Sequence, residues 1–172
     1  MKVLMTDLDG VLSDGSYYVS SNGVVTKVFY NRDWDAMTKL MKNGIKVVIL
    51  TQCYDEAIDA QLARIKTNSK TWANWMETGV FTLIKKCEDK YIAAIEYLKA
   101  HGMEWKDVVY IGDAENDRAC MIKAGYTFCP ADALEIIKGE ANIVCDTNGG
   151  RGCIQELVEE LEYQNVIKHN KE

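Results

Sequence analysis

The stretch TDLDGVLSDG, residues 6–15, places three carboxylates and two glycines directly behind the apolar run VLM at 3–5. Asp7 and Asp9 flank Leu8, so on a strand their side chains share one face, where like charges repel unless a cation stands between them. Asp and Gly are also poor strand formers. The stretch therefore either closes a strand in a turn or builds a site, and the rest of the chain decides between the two.

Outward from it, strand and helix signals alternate. KVLMTD (2–7) reads as a buried strand. Residues 15–31 hold two β-rich runs around Ser21-Asn22-Gly23, and Asn-Gly is a strong hairpin signal. WDAMTKLMKNG (34–44) reads as a helix, IKVVIL (45–50) as a buried strand and DEAIDAQLARI (55–65) as a helix with Asp55 at its cap. Residues 66–79 read as a loop or short helix packed by Trp72 and Trp75. A strand at 79–84, a helix at 90–100, a strand at 107–113 and a helix at 115–125 follow. YTFC (126–129), a short helix near 133–137, NIVC (142–145) and a helix at 153–168 complete the pattern. Apolar strands alternating with amphipathic helices predict an α/β domain, 1–172, around a mostly parallel sheet, with the hairpin protruding.

Composition narrows the function classes. The net charge of −6 argues against nucleic acid as a partner, which needs a basic surface. VVIL (47–50) is far too short to span a membrane, and the N-terminus shows no secretory core, so the expectation is a cytoplasmic protein. Six cysteines without CxxC spacing read as buried free thiols rather than bridges or a zinc site. His101 reads as a helix-terminal residue, and His169 stands alone.

In a parallel sheet the functional crevice lies at the carboxyl ends of the strands. Those ends carry Asp7 and Asp9, then Thr51 and Gln52, then Lys85, Lys86 and Lys90, then Asp113, Asn116 and Asp117. Asp7, Asp9 and Asp113 together call for a hard divalent cation, and Mg²⁺ bound by carboxylates keeps positions for water and a phosphate oxygen. With the charge offset, a carboxylate can attack phosphorus, a hydroxyl and a lysine can hold the transferring group, and a second carboxylate can serve the leaving alcohol.

On DLDGV (7–11), Thr51 behind an apolar strand, Lys90 and GDAEND (112–117), the chain resembles the haloacid dehalogenase superfamily of phosphohydrolases over nearly its whole length. DGVLSDG, the hairpin followed by NRD (31–33), EDK (88–90) and GGRG (149–152) are similar to the capless 3-deoxy-D-manno-octulosonate-8-phosphate phosphatase family. The resemblance implies a three-layer Rossmann-like domain without a separate cap. It implies Asp7 as nucleophile through an aspartyl-phosphate, and Asp9 as general acid/base with its backbone carbonyl on the metal. It further implies Thr51 and Lys90 on the phosphoryl group, and Asp7, Asp9 and Asp113 around Mg²⁺. Asp117 then orients Lys90, Asn116 supports the loop, and Arg151, with Arg32 and Gln52, is a candidate substrate contact. The family assembles through its hairpins into a homotetramer, and an apolar hairpin face of Tyr17, Val19, Val25 and Phe29 agrees with self-association.

The chain departs from the family at Thr51-Gln52-Cys53, where Thr-Gly-Arg is usual, and at Trp34, where NxRDG has glycine; both changes, with the longer 66–79 stretch, are expected near the specificity pocket. The reading is a Mg²⁺-dependent phosphatase of a small phosphate monoester, an octulosonate-phosphate-like sugar acid phosphate. The alternatives are a phosphatase of another sugar phosphate or a nucleoside monophosphate, a phospho-accepting receiver domain, and an inactive oligomerisation module.

Overall fold

A computed structural model describes residues 1–167. His169 lies outside the described residues, and the helix expected over 153–168 ends at Tyr163, with Gln164 as its C-cap. The strands β1 (Val3–Thr6), β4 (Lys46–Leu50), β5 (Phe81–Ile84), β6 (Val108–Ile111), β7 (Tyr126–Cys129) and β8 (Ile143–Val144) form a parallel sheet in the order β5-β4-β1-β6-β7-β8. The strands β2 (Tyr18–Val19) and β3 (Val25–Thr26) form the separate antiparallel hairpin.

Period-two alternation sends each strand's side chains into two cores. Leu4, Val47, Ile49, Val109 and Ile111 face α1 (Asn31–Lys42), α2 (Ala57–Asn68), α3 (Lys70–Glu77) and α7 (Cys153–Tyr163). Val3, Met5, Val48, Leu50, Val108 and Tyr110 face α4 (Lys90–Ala100), α5 (Arg118–Lys123) and α6 (Glu135–Lys138). The result is the predicted three-layer α/β arrangement, and only the hairpin and α1 stand between β1 and β4. All six cysteines are buried and free. No helix among the described residues is long and apolar enough to cross a membrane.

Three local readings change, and at 70–77 the helical alternative holds. The hairpin pairs over only two residues per strand, because its second arm leaves the ladder to bury Lys27 and to set Phe29 edge-on against Trp34. Helix α1 begins at Asn31, ahead of the expected start. Residues 70–77 are a full helix: Ser69 Oγ accepts from the Trp72 amide at 3.3 Å, a helix-capping contact, and Trp72 donates from Nε1 to Thr38 Oγ1 at 3.0 Å. Trp34, Trp72 and Phe81 form one edge-to-face cluster, so neither Trp34 nor α3 lines the crevice at the carboxyl ends of the strands; Trp34 is accommodated as a core residue.

Candidate active site

Strand register places the site. Thr6 lies beside Ile49 on β4 and Ile111 on β6, so Asp7 emerges between the ends of both neighbours. The chain order reverses across β1 and β6, which makes this the sheet's switch point. The Asp7 amide still donates to the Ile111 carbonyl at 3.1 Å, and its Oδ1 accepts from the Leu8 amide at 2.6 Å, so backbone holds the carboxylate from both sides.

Behind Asp7 stands a buried charge network. Lys90, at the first position of α4, reaches Asp7 Oδ2 at 2.7 Å and Asp117 Oδ1 at 2.8 Å, with Asn116 Oδ1 at 3.4 Å. Tyr110 donates from its hydroxyl to Asp117 Oδ1 at 2.8 Å, and the Asp113 and Ala114 amides donate to Asp117 Oδ2 at 3.2 and 3.3 Å. Asp117 thus spends both oxygens on orienting Lys90 and the loop after β6. Burial pushes the Asp7 carboxyl well above the ordinary carboxylate range, and Asp117 adds to that against the pull of Lys90. Burial, then Asp117, pushes Asp113 up to about 6. Burial disfavours the Lys90 ammonium, yet Asp7 and Asp117 outweigh it and raise its pKa.

Carboxylate oxygens of Asp7, Asp113 and Asp117 lie within 4.8 Å of one another, and Asp113 Oδ1 is buried without a hydrogen-bond partner. An orphaned buried carboxylate oxygen beside a second carboxylate is a donor set for a hard divalent cation, and it fits a Mg²⁺ cofactor. Both Asp117 oxygens are engaged by Lys90, Tyr110 and two amides, and those of Asp7 by the Leu8 amide and Lys90, so Asp113 Oδ1 is the unpartnered oxygen offered to an ion, with the Asp7 carboxylate beside it. The Asp9 side chain points elsewhere. Its Oδ1 accepts from the Ser13 hydroxyl at 2.8 Å, and its Oδ2 takes Lys27 Nζ at 2.7 Å and the Tyr17 hydroxyl at 3.2 Å.

Two glycines make this crowding possible. Gly10 has φ +88°, and a Cβ there would stand 2.2 Å from Asp113 Oδ2. A Cβ on Gly149 would stand 1.9 Å from the Gly10 carbonyl oxygen. The GGRG loop therefore lies directly on the turn after Asp9, and its glycines permit close approach to protein backbone.

A crevice of about 400 Å³ opens over Asp7 and is lined by Asp9, Tyr17, Thr51, Gln52, Cys53, Tyr54, Asp55, Ala114 and Asn116. Of the residues singled out in the sequence, Asp7, Asp9, Thr51, Gln52 and Asn116 meet here, with Lys90 and Asp117 behind them and Asp113 in the adjoining cleft. Gln52 accepts from Asn116 Nδ2 at 2.9 Å, bridging two strand ends. Arg151 is exposed and stands 3.7 Å from Asp14 Oδ2; Asp14 lines that second cleft, whereas Arg151 is not among its lining residues. Arg32 lines a different cavity, between α1 and α7, with Gln155 and Glu159. Lys27 is absent from the sequence-derived set, although a single lysine within VVTKVFY (24–30) is a visible signal. Tyr110 is absent too, because in sequence it looks like any buried strand residue.

A switch-point carboxylate, a buried lysine and a cation-ready acidic loop are what a phosphoryl-transferring hydrolase needs. A model of the haloacid dehalogenase-like hydrolase family matches residues 52–157, and the chain belongs to that family, as an enzyme of its phosphatase type. It is 27% identical to the 3-deoxy-D-manno-octulosonate 8-phosphate phosphatase of Haemophilus influenzae, over 91% of this chain and 80% of that one. The crystal structure of the corresponding Moraxella catarrhalis phosphatase in complex with magnesium, phosphate and KDO superimposes with a TM-score of 0.82 at 26% identity, covering 95% of this chain and 86% of that one. A hydrolase of the superfamily from Legionella pneumophila gives 0.83 at 28% identity, over 96% and 84%.

Proposed function

We propose that this chain hydrolyses a small phosphate monoester, a sugar acid phosphate of the octulosonate 8-phosphate kind, with Mg²⁺ and through an aspartyl-phosphate. The observation that carries the reading is Asp7: a backbone-fixed carboxylate at the switch point, 2.7 Å from Lys90 and beside the unpartnered Asp113 oxygen. The similarity to octulosonate 8-phosphate phosphatases supports the substrate class.

Asp7 is the nucleophile. One of its oxygens forms a bond to phosphorus as the bond from phosphorus to the alcohol oxygen breaks, and Asp9 gives that oxygen a proton. In the second half, water attacks the phosphorus, Asp9 takes the water's proton, and the bond to Asp7 breaks to release inorganic phosphate. Thr51 and Lys90 hold the phosphoryl oxygens, and Asp117 with Asn116 keeps Lys90 in place. Asp7, Asp113 and the Asp9 backbone carbonyl would hold Mg²⁺, which supplies positive charge opposite the phosphoryl oxygens. The crevice closes when copies of the chain associate through their hairpins into a tetramer.

A second reading, another sugar phosphate or a nucleoside monophosphate, is favoured by Gln52 and Cys53. They line the crevice with neutral groups where an arginine is usual. Turnover of a panel of sugar acid, sugar and nucleoside phosphates with Mg²⁺ separates the two. Asp7→Asn is expected to abolish phosphate release from every substrate, aryl phosphates included; sustained turnover by that variant would remove Asp7 from the nucleophile's role.

A further inference from the structure

We propose that Lys27, on the arm between β3 and α1, is a positioning residue for the leaving-group step. It holds Asp9 where that carboxyl meets the departing alcohol. This rests on the reading of Asp9 as the general acid/base.

The Lys27 side chain has no solvent exposure, and its ammonium sits 2.7 Å from Asp9 Oδ2 and 2.8 Å from Asp55 Oδ2. A third donor reaches Cys53 Sγ at 3.3 Å, and the charge stands 4.5 Å from the Tyr17 ring centre. All three ammonium donors are therefore committed inside the protein. An arm that needed only to pack would do so better with an apolar side chain, because a buried ammonium is stabilised only by well-placed partners. Its partners are unequal. Asp55 is fixed from below, since its Oδ1 accepts from the Ala57 amide at the start of α2 at 3.0 Å. Asp9 sits on the turn and is otherwise held only by two hydroxyls, from Ser13 and Tyr17. Lys27 thus ties the Asp9 carboxyl to Asp55, which binds the first amide of α2, and sets the direction of Asp9 across the crevice both residues line.

The leaving group separates this role from mere scaffolding. A 4-nitrophenolate departs without a proton, whereas an alkoxide needs one from Asp9 as its bond to phosphorus breaks. With saturating Mg²⁺, kcat/KM is measured for 4-nitrophenyl phosphate and for a primary sugar phosphate in wild type, Lys27→Met, Asp9→Asn and the double variant Lys27→Met/Asp55→Asn. The double variant removes one of the two carboxylates that Lys27→Met leaves without its ammonium, should the single variant fail to fold. Expected is a loss of about 10²-fold on the sugar phosphate in both Lys27 variants, with little change on the aryl phosphate. Equal losses on both substrates, or none, alongside a selective loss in Asp9→Asn, would overturn the role of Lys27. A uniform loss in Asp9→Asn would overturn the acid assignment and this proposal with it. Absence of turnover in wild type on both substrates would instead remove the phosphatase reading.

Discussion

Lys90 is buried to its tip between Asp7 and Asp117, so Lys90→Met leaves two carboxylates facing each other without their ammonium. Removing one member of a buried ion pair typically costs about 3–5 kcal/mol, because the remaining charge keeps its desolvation penalty. Urea unfolding in the presence of a chelator is expected to show a loss of that size; an unchanged midpoint would mean the network is not closed as described. Gly10→Ala acts differently. The strained φ and the collision with Asp113 Oδ2 displace a carboxylate rather than remove one. Titration calorimetry with Mg²⁺ is expected to show affinity weakened at least about tenfold, which is the consequence of about 1.4 kcal/mol. At this scale, legibility follows chain locality. Asp7, Asp9, Thr51 and Asp113 were readable because each follows an apolar run that ends abruptly in polar residues. Lys27 was not, since its partners lie 18 residues before it and on the far side of α1 and β4.

Helices α1 and α7 are joined by a contact that the hydrophobic pattern does not reveal. Asp33 Oδ1 accepts from the Ile154 and Gln155 amides at 3.0 and 3.1 Å, capping α7 from another helix, while its Oδ2 is buried without a partner. Burial pushes its carboxyl up to about 6 against the pull of those amides. A folded-state pKa above the unfolded value means that the native state holds the proton more tightly. The resulting stability is present below about pH 4 and lost as pH rises to about 6. For this carboxyl the change is on the order of 3 kcal/mol. Asp33→Asn cannot ionise, so the stability difference between variant and wild type is expected to shift by that amount between pH 4 and 7, read from urea midpoints in matched buffers. A difference independent of pH would place the Asp33 titration elsewhere. NRD was matched as a motif, yet only the fold shows that its aspartate serves α7. The apolar stripes of α1 and α7 were readable from spacing, whereas α3 was obscured by polar residues around a cap, Ser69, and tryptophans that pack sideways.

At the scale of the whole molecule, the hairpin is the element that the described residues of the core support least. A pair of two-residue strands is marginal by itself, and β2 has an unpaired outer edge. Phe29 turns inward and Val25 is half-buried, so the exposed apolar face differs from the expected one: Tyr17, Tyr18, Val19, Val24 and Val28 are each more than half exposed. Such a cluster on a projecting element favours a partner. The hairpin also carries Tyr17, whose hydroxyl donates to Asp9, so whatever seats the hairpin bears on the crevice. If copies associate there, light scattering of wild type gives a mass several times 19.4 kDa. Val19→Lys with Val28→Lys, which places two charges on the face without touching Lys27 or Tyr17, is expected to yield monomers. Because those substitutions leave Asp7, Lys90 and Asp113 untouched, the monomer is expected to keep 4-nitrophenyl phosphatase activity and to lose affinity for the larger substrate, seen as a rise in KM. A wild type that is itself monomeric at micromolar concentration would end the assembly proposal, and a dissociated variant with unaltered KM would confine the hairpin's role to association.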